Sequence, residues 1–495
     1  MMHDREKSHS AIVAAKPTNN VSATIADAAE PVEPRAGTKR NAEEQSTHRT
    51  QGWVRVTQAL DRVRQAARLR KDEKFTALFH HFSVDLFREA FVALKRDAAP
   101  GVDGLTWRTY EADLERNLTD LHSRVHRGAY RALPSRRAYI PKADGKQRPL
   151  AVAALEDKIV QKATVAVLNC IYEEEFLGLS YGFRPKRGQH DALDALVVGI
   201  STRRVNFIFD ADLAAFFDTV SKEWLVRFVE HRIGDKRIIR LICKWLKAGV
   251  LEDGVVTISE VGTGQGSVIS PLLANIYMHY VFDLWADRWR RRAAQGDVII
   301  VRYADDFVVG FEHEADARRF WDALRARLEE FALSLHPDKT RLIEFGRHAA
   351  DRRAREGLGK PETFKFLGFV FICGKTRRGK FLVHRKSRRD RMQAKLKEVK
   401  KELRKRMHQP IPEQGRWLAQ VVRGYFAYHA VPTNRASISA FRRYVIRLWH
   451  RTLRRRSQKD RFPWERMPRL ADYWLPQPHN FHPWPHVRFA VKYSR

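Results

Sequence analysis

Apolar residues recur at helical spacing through LDRVRQAARLRKDEKFTALFHHFSVDLFREAFVALKR, with basic residues between them, so the chain reads as helical from Gln51 onward. Pro100, Gly101 and Gly104 in DAAPGVDGLT end that pattern. Tyr139 and Ile140 then lead through Pro141 and a turn at Asp144-Gly145 to Pro149-Leu150-Ala151-Val152, which predicts strand, turn, strand. Glu156 to Tyr172 is a continuous apolar helix, and a Gly-rich loop follows from Gly178 to Gly188. NFIFDADLAAFFDTV reads as a strand running into a turn and a helix, followed by helices at WLVRFVEHR and RIIRLICKWLKAGV. A glycine loop in VGTGQGSVISPLLANIYMHYVFDLWADRW feeds a long helix. From Val298 to Phe311 two runs rich in Val, Ile and Phe flank Tyr-Ala-Asp-Asp, the pattern of a tight hairpin with acidic residues at its tip. A helix is expected over Ala315 to Phe331, and FKFLGFVF reads as one short strand. Beyond Gly374, Leu396, Val399, Leu403 and Met407 keep helical spacing, which predicts a basic helix with one apolar face. No fixed-period repeat is visible.

Charge narrows the partners. The 495 residues, enough for two or three domains, carry 92 Lys+Arg against 58 Asp+Glu, a formal net charge of +34. Such an excess opposes compaction unless a polyanion offsets it; nucleic acid is the first candidate and an anionic membrane surface the second. Between Lys375 and Arg406 about half the residues are Lys or Arg, a density suited to phosphate contact. No apolar run is long enough to span a bilayer. Residues 1–50 are poor in aromatics and are expected to form a disordered tail; Asp4, Glu6, Asp27 and Glu30 argue against a transit peptide. Cys170, Cys243 and Cys373 are far apart and lack metal-type spacing, so a reduced cytoplasmic protein without zinc or disulfide is expected.

The chemistry concentrates in two acidic pairs. Asp305 and Asp306 share a turn, where their mutual repulsion makes sense if a cation neutralises them. Asp210 and Asp212 alternate with apolar residues on a strand and point to one face. Periodicity does not separate these two. Carboxylates from two strands are what hold a pair of divalent ions roughly 4 Å apart in phosphoryl transfer.

Taken in order, APGVDGLT, IPKADGKQRPLAV, YGFRPKRGQHDAL, DADLAAFFD, GTGQGSVISPLLANIYM, YADD, LHPDKT, FLGF and RGYFAYHA resemble the group II intron-encoded reverse transcriptases, or maturases. The resemblance covers most of the chain from about residue 70. It implies an α+β right-hand polymerase, with fingers and palm over 51–373 and a mostly helical thumb, domain X, over 374–495. It implies an RNA-directed DNA polymerase that uses two Mg2+ ions, binds its group II intron RNA to promote splicing, and takes an RNA template with DNA primer, dNTPs and target DNA, with no membrane partner. Bacterial, nucleoid-associated placement on DNA goes with that role.

By the same resemblance Asp212, Leu213 and Asp305 hold metal, Asp306 is the catalytic partner nearer the primer end, and Asp210 is scaffold. Phe217 sits where a ring under the sugar excludes a 2′-hydroxyl. Lys142 and Arg148 match the finger residues that grip the triphosphate, Gln265 lies beside base and sugar, and Lys339 near the triphosphate. Intron RNA contacts fall to Arg388, Arg389, Lys395, Arg404, Arg454, Arg455 and Arg456. Most of the aromatics Trp417, Tyr425, Phe426, Tyr428, Tyr444 and Trp449 are expected in the helix-packing core. No Cys follows Cys373, so the Cys-bearing nuclease of many members is expected to be absent. Two other readings keep the same motifs: a splicing cofactor with an idle polymerase, and a domesticated reverse transcriptase in defence or DNA repair.

Overall fold

The computed structural model describes residues 46–141, 147–252, 255–257, 266–456 and 462–492. The class is α+β, as expected. In chain order the strands are β1 (Ser135–Pro141), β2 (Gln147–Val152), β3 (Phe207–Asp212), β4 (Val250–Glu252), β5 (Val255–Thr257), β6 (Val298–Tyr303), β7 (Asp306–Phe311), β8 (Arg341–Glu344), β9 (Phe364–Phe366), β10 (Phe369–Lys375) and β11 (Phe381–Ser387). They form three sheets among the described residues, ordered β2-β1-β4-β5, β6-β7-β3-β8 and β11-β10-β9.

The antiparallel sheet β6-β7-β3-β8 is the centre. Within it Val298–Val301 of β6 and Phe307–Val309 of β7 are unbroken apolar runs because both faces of these strands are covered. Ile208, Ile299, Val301 and Val308 join one core with the helix Gln189–Thr202. Their neighbours Phe209, Ile300, Phe307 and Val309 enter another with the helix Glu314–Glu329. That second core extends to the helix Leu155–Glu175, which buries Ile159, Val160, Ala163, Val167 and Ile171 and leaves Lys158, Lys162, Asn169 and Glu173 partly exposed.

The N-terminal pattern is two helices with a short 3-10 turn, Phe79–His81, between them, rather than one helix. A helix spans Ser46–Leu69, starting before the tail boundary expected at residue 50, and a second spans Val84–Val92 under a Ser83 cap. FKFLGFVF is also divided. Leu367 (φ 43°) and Gly368 (φ 81°) turn the backbone between β9 and β10. β10 runs through the expected 373/374 boundary and pairs with β11, so the basic helix begins at Arg389, not at 375. Phe364, Phe366, Phe369 and Phe371 carry this sheet onto the central core.

Helices Arg389–Lys405, Ile411–His429, Arg435–Leu453 and Met467–Trp474 enclose a separate core around Leu403, Leu418, Val422, Phe441 and Trp449. Buried Gln414 ties it together: its amide donates to the Arg406 carbonyl (2.8 Å) and accepts from Trp449 Nε1 (2.9 Å). Tyr425, Phe426 and Trp449 are buried and Tyr444 is exposed, so packing takes most of the aromatics there. The last helix, Pro485–Lys492, returns to the helix Gln189–Thr202, where Arg488 Nε meets Asp194 Oδ2 at 2.7 Å. Among the described residues no helix is long and apolar enough to cross a membrane.

Candidate active site

The acidic residues converge because of register. β3 and β7 pair antiparallel with Asp212 opposite Asp306, and β6 pairs with β7 so that Tyr303 also faces Asp306. The turn between them is Ala304-Asp305. Ala304 sits at φ 58°, a conformation costly for a residue with a Cβ, which fixes the direction of the tip. Asp210 lies two residues before Asp212 on the same face.

Each carboxylate has a different environment. Asp210 is half-buried and accepts from Arg341 at 3.2 Å; burial raises its proton affinity, partly offset by that guanidinium. Asp212 Oδ2 accepts from Lys339 Nζ at 2.6 Å. β8 pairs with β3 so that Arg341 lies opposite Asp210. Two acids on one strand thus meet Arg341 on the next strand and Lys339 in the turn that precedes it. Asp306 keeps only partial solvent contact, and burial together with the fields of Asp305, Asp210 and Asp212 pushes its pKa up to about 8; Arg391 pulls the other way.

This charge balance fits a divalent cation, which would relieve the repulsion that protonates Asp306. Leu213 fits too. Its bridge to Leu335 is flanked by Ala214 N to Ser334 O (2.9 Å) and His336 N to Asp212 O (2.8 Å). In that pattern the Leu213 carbonyl points to the other edge, the side of β7. Among the described residues no three His, Cys, Asp or Glu side chains are already gathered as a metal cluster. With the Lys339 ammonium on Asp212, the site is charge-ready rather than closed.

Phe217 follows Ala215, whose left-handed φ of 45° starts the short helix Phe216–Thr219. Phe216 points into the core and Phe217, packed edge-on to it at 5.2 Å, faces a cavity of about 280 Å³. Pro149, Asp157, Gln161, Trp245 and Ser267 also line that cavity. Gln161 Oε1 accepts from Ser267 Oγ (2.9 Å) and Val268 N (3.0 Å), anchoring the segment after the glycine loop. Gly266 has φ 105°, and a Cβ there would lie 3.1 Å from the Ala151 carbonyl, so the loop end needs glycine. Lys142 and Gln265 lie outside the described residues. Arg148 pairs with Ile140 in the β1-β2 ladder, and its side chain is outside the described set.

Of the basic residues expected on RNA, Arg389, Arg404, Arg454 and Arg455 are exposed. Arg388 pairs with Asp390 (2.6 Å) and Lys395 with Glu398 (2.9 Å). Arg456 donates to the Gln409 carbonyl (2.9 Å), so it closes a helix junction. Arg341 and Gln161 were not visible from sequence as site residues. The alternation of Lys339 and Arg341 was the available signal, readable only once β8 is known to pair with β3.

The family model for reverse transcriptase (RNA-dependent DNA polymerase) matches residues 140–371, which include both acidic strands. Protein YkfC of Escherichia coli (strain K12) is 35% identical over 300 residues, 52% of this chain and 77% of that protein. Group II intron-encoded protein LtrA of Lactococcus lactis subsp. cremoris is 32% identical over 222 residues, 44% of this chain and 37% of LtrA. A 91 kDa protein in the cob intron of Schizosaccharomyces pombe is 34% identical over 195 residues, 39% of this chain and 24% of that protein. The match thus spans well under half of the two intron-encoded relatives. Register, carboxylates and similarity agree: the chain belongs to the reverse transcriptases of the group II intron-encoded type.

Proposed function

We propose that this chain copies RNA into DNA using two Mg2+ ions, and that its helical C-terminal part, from about Arg388, is the thumb that grips group II intron RNA for splicing. The observation that carries the reading is the register that sets Asp212 opposite Asp306 with Asp305 on the adjoining turn. Asp212, Asp305 and the Leu213 carbonyl would hold the ions, with Asp306 toward the primer end. When bound, the divalent ions supply positive charge where phosphoryl transfer develops negative charge. The chain's own residues do the rest. Phe217 floors the sugar pocket and excludes the 2′-hydroxyl of a ribonucleotide. Lys142 and Arg148 neutralise the triphosphate, and Lys339 leaves Asp212 for the phosphates as the ions enter. Gln265 orients base and sugar from a loop anchored by Gln161. Exposed Arg389, Arg404, Arg454 and Arg455 meet the intron RNA phosphates.

Extension of an oligo(dT) primer on poly(rA) tests the reading. The full chain with Mg2+ and dTTP should add nucleotides, and Asp212→Asn or Asp305→Asn should abolish addition while RNA binding stays near normal. A folded, RNA-binding chain that never extends the primer would leave the idle-polymerase reading. Extension by either Asn variant at full rate would remove the carboxylate assignment.

A further inference from the structure

The catalytic turn is held from behind by a buried ion pair. Arg302, the last residue but one of β6, and Asp283 are both fully buried, with Nε to Oδ1 at 2.6 Å and Nη2 to Oδ2 at 2.5 Å. The same guanidinium donates to Ser180 Oγ (2.8 Å), to Asn275 Oδ1 (3.1 Å) and to the Ala304 carbonyl (2.8 Å). Its five N–H donors therefore all have acceptors. The Ala304 carbonyl belongs to the peptide that leads into Asp305. Asn275 continues the scaffold by donating to the Gly182 carbonyl at 2.7 Å. A Cβ at Gly182 would collide with the Ala304 backbone nitrogen, so the segment lies directly against the turn. Asp283 closes a π-helical turn, His279–Asp283, inside the otherwise α-helical stretch Ser270–Arg292. Such an inserted residue re-aims the side chains that follow it.

We infer that Arg302, oriented by Asp283 and Asn275, is a positioning residue: its bond to the Ala304 carbonyl keeps the strained turn, and with it Asp305, at the geometry nucleotide addition requires. This rests on the polymerase reading above. Burial alone would make Arg302 a structural residue. What points further is that one of its five bonds goes to the turn itself rather than to the scaffold.

The test separates these roles. Arg302→Met alone leaves Asp283 charged and unpaired, so the full chain is also made with Arg302→Met and Asp283→Leu together, which removes the buried pair as a unit. The double variant still leaves the Asn275 and Ala304 carbonyls without the guanidinium, so its melting temperature should fall by several degrees while it stays folded and its RNA binding stays near wild type. Its kcat for dTTP addition on poly(rA)/oligo(dT) should fall roughly 100-fold, the scale for a misplaced catalytic group. KM for dTTP should stay near wild type, and the half-saturating Mg2+ concentration should rise. Wild-type kcat in this folded variant would overturn the inference. If the double variant does not fold, Arg302→Lys decides. It keeps a cation for Asp283, but three donors on one nitrogen do not reproduce the fork, so the same kcat loss is expected and an unchanged kcat refutes the role. A wild-type chain without polymerisation would sink the polymerase reading and this inference with it; an active wild type with fully active variants sinks the inference alone.

Discussion

Replacing Asp306 by Asn should stabilise the metal-free chain at high pH and leave it unchanged at low pH. The folded structure raises the Asp306 pKa from 3.8 to about 8. Between those values the folded chain holds a proton that the unfolded chain has lost, so stability falls as pH rises from about 4 to about 8. At about 1.36 kcal/mol per unit the whole shift is about 5–6 kcal/mol. Partial solvent contact and counter-ions screen the charge, leaving about 2–4 kcal/mol. Asn has no charge to lose, so the slope disappears. His190, His279 and His429, all lowered by burial, add a slope of opposite sign below pH 6.5, but they are common to both proteins and cancel in the difference. Thermal unfolding in EDTA from pH 5 to 8.5 reads the effect. The gap between the two melting temperatures should widen steadily from pH 5 to about pH 8, where it reaches several degrees more than at pH 5 in favour of the variant. Mg2+ should then raise wild type more than the variant, because the charge that was removed lies beside the proposed ligands Asp212 and Asp305 and adds to the field that attracts the ion. Parallel curves at every pH would refute the claim that burial and the neighbouring carboxylates raise the proton affinity of Asp306.

Phe217→Val opens the floor of the sugar pocket and should cut discrimination against ribonucleotides by roughly 10–100-fold, measured as the ratio of kcat/KM for dTTP and UTP; an unchanged ratio removes Phe217 as the gate. Lys339→Met deletes the ammonium on Asp212, so the Mg2+ concentration for half-maximal extension should fall, and a midpoint that stays or rises counts against competition between Lys339 and the metal. Arg454→Ala with Arg455→Ala should weaken intron RNA binding about tenfold and reduce the salt slope by about 1–2. Binding curves unchanged in both respects would place the RNA on another face.

The sequence carried the local geometry well and the long-range charge pairing poorly, for one physical reason. A hairpin such as Val298–Phe311 is decided by residues a few positions apart, so a turn within Tyr-Ala-Asp-Asp was legible, although Asp306, expected in that turn, is the first residue of β7 and pairs with Tyr303. The turn at Leu367-Gly368 was not legible, because Leu gives no sign that it will take a positive φ. β11 was hidden for a related reason. In FLVHRKS the buried alternate positions are Val383 and Arg385, and a buried arginine spoils the apolar pattern.

That arginine is buried because Asp194, 191 residues away, meets it at 2.8 Å. Arg341 finds Asp210 across 131 residues, and Arg302 finds Ser180 across 122. In each case a cation that reads as surface or as an interruption becomes part of the scaffold only when two distant segments come together. The electrostatics of the acidic site follow the same logic. Three nearby carboxylates and burial set the Asp306 proton affinity, while Lys339 and Arg341 occupy its neighbours Asp212 and Asp210. Motif order could name the acids, but only the pairing of β3 with β7 and β8 could say which of them already has a cation and which waits for one. On the proposed reading Asp212 would give up Lys339 before serving a metal, whereas Asp306 would gain from any positive charge that enters. The segment that supplies Lys339 and Arg341 would therefore govern metal entry as much as the acidic turn.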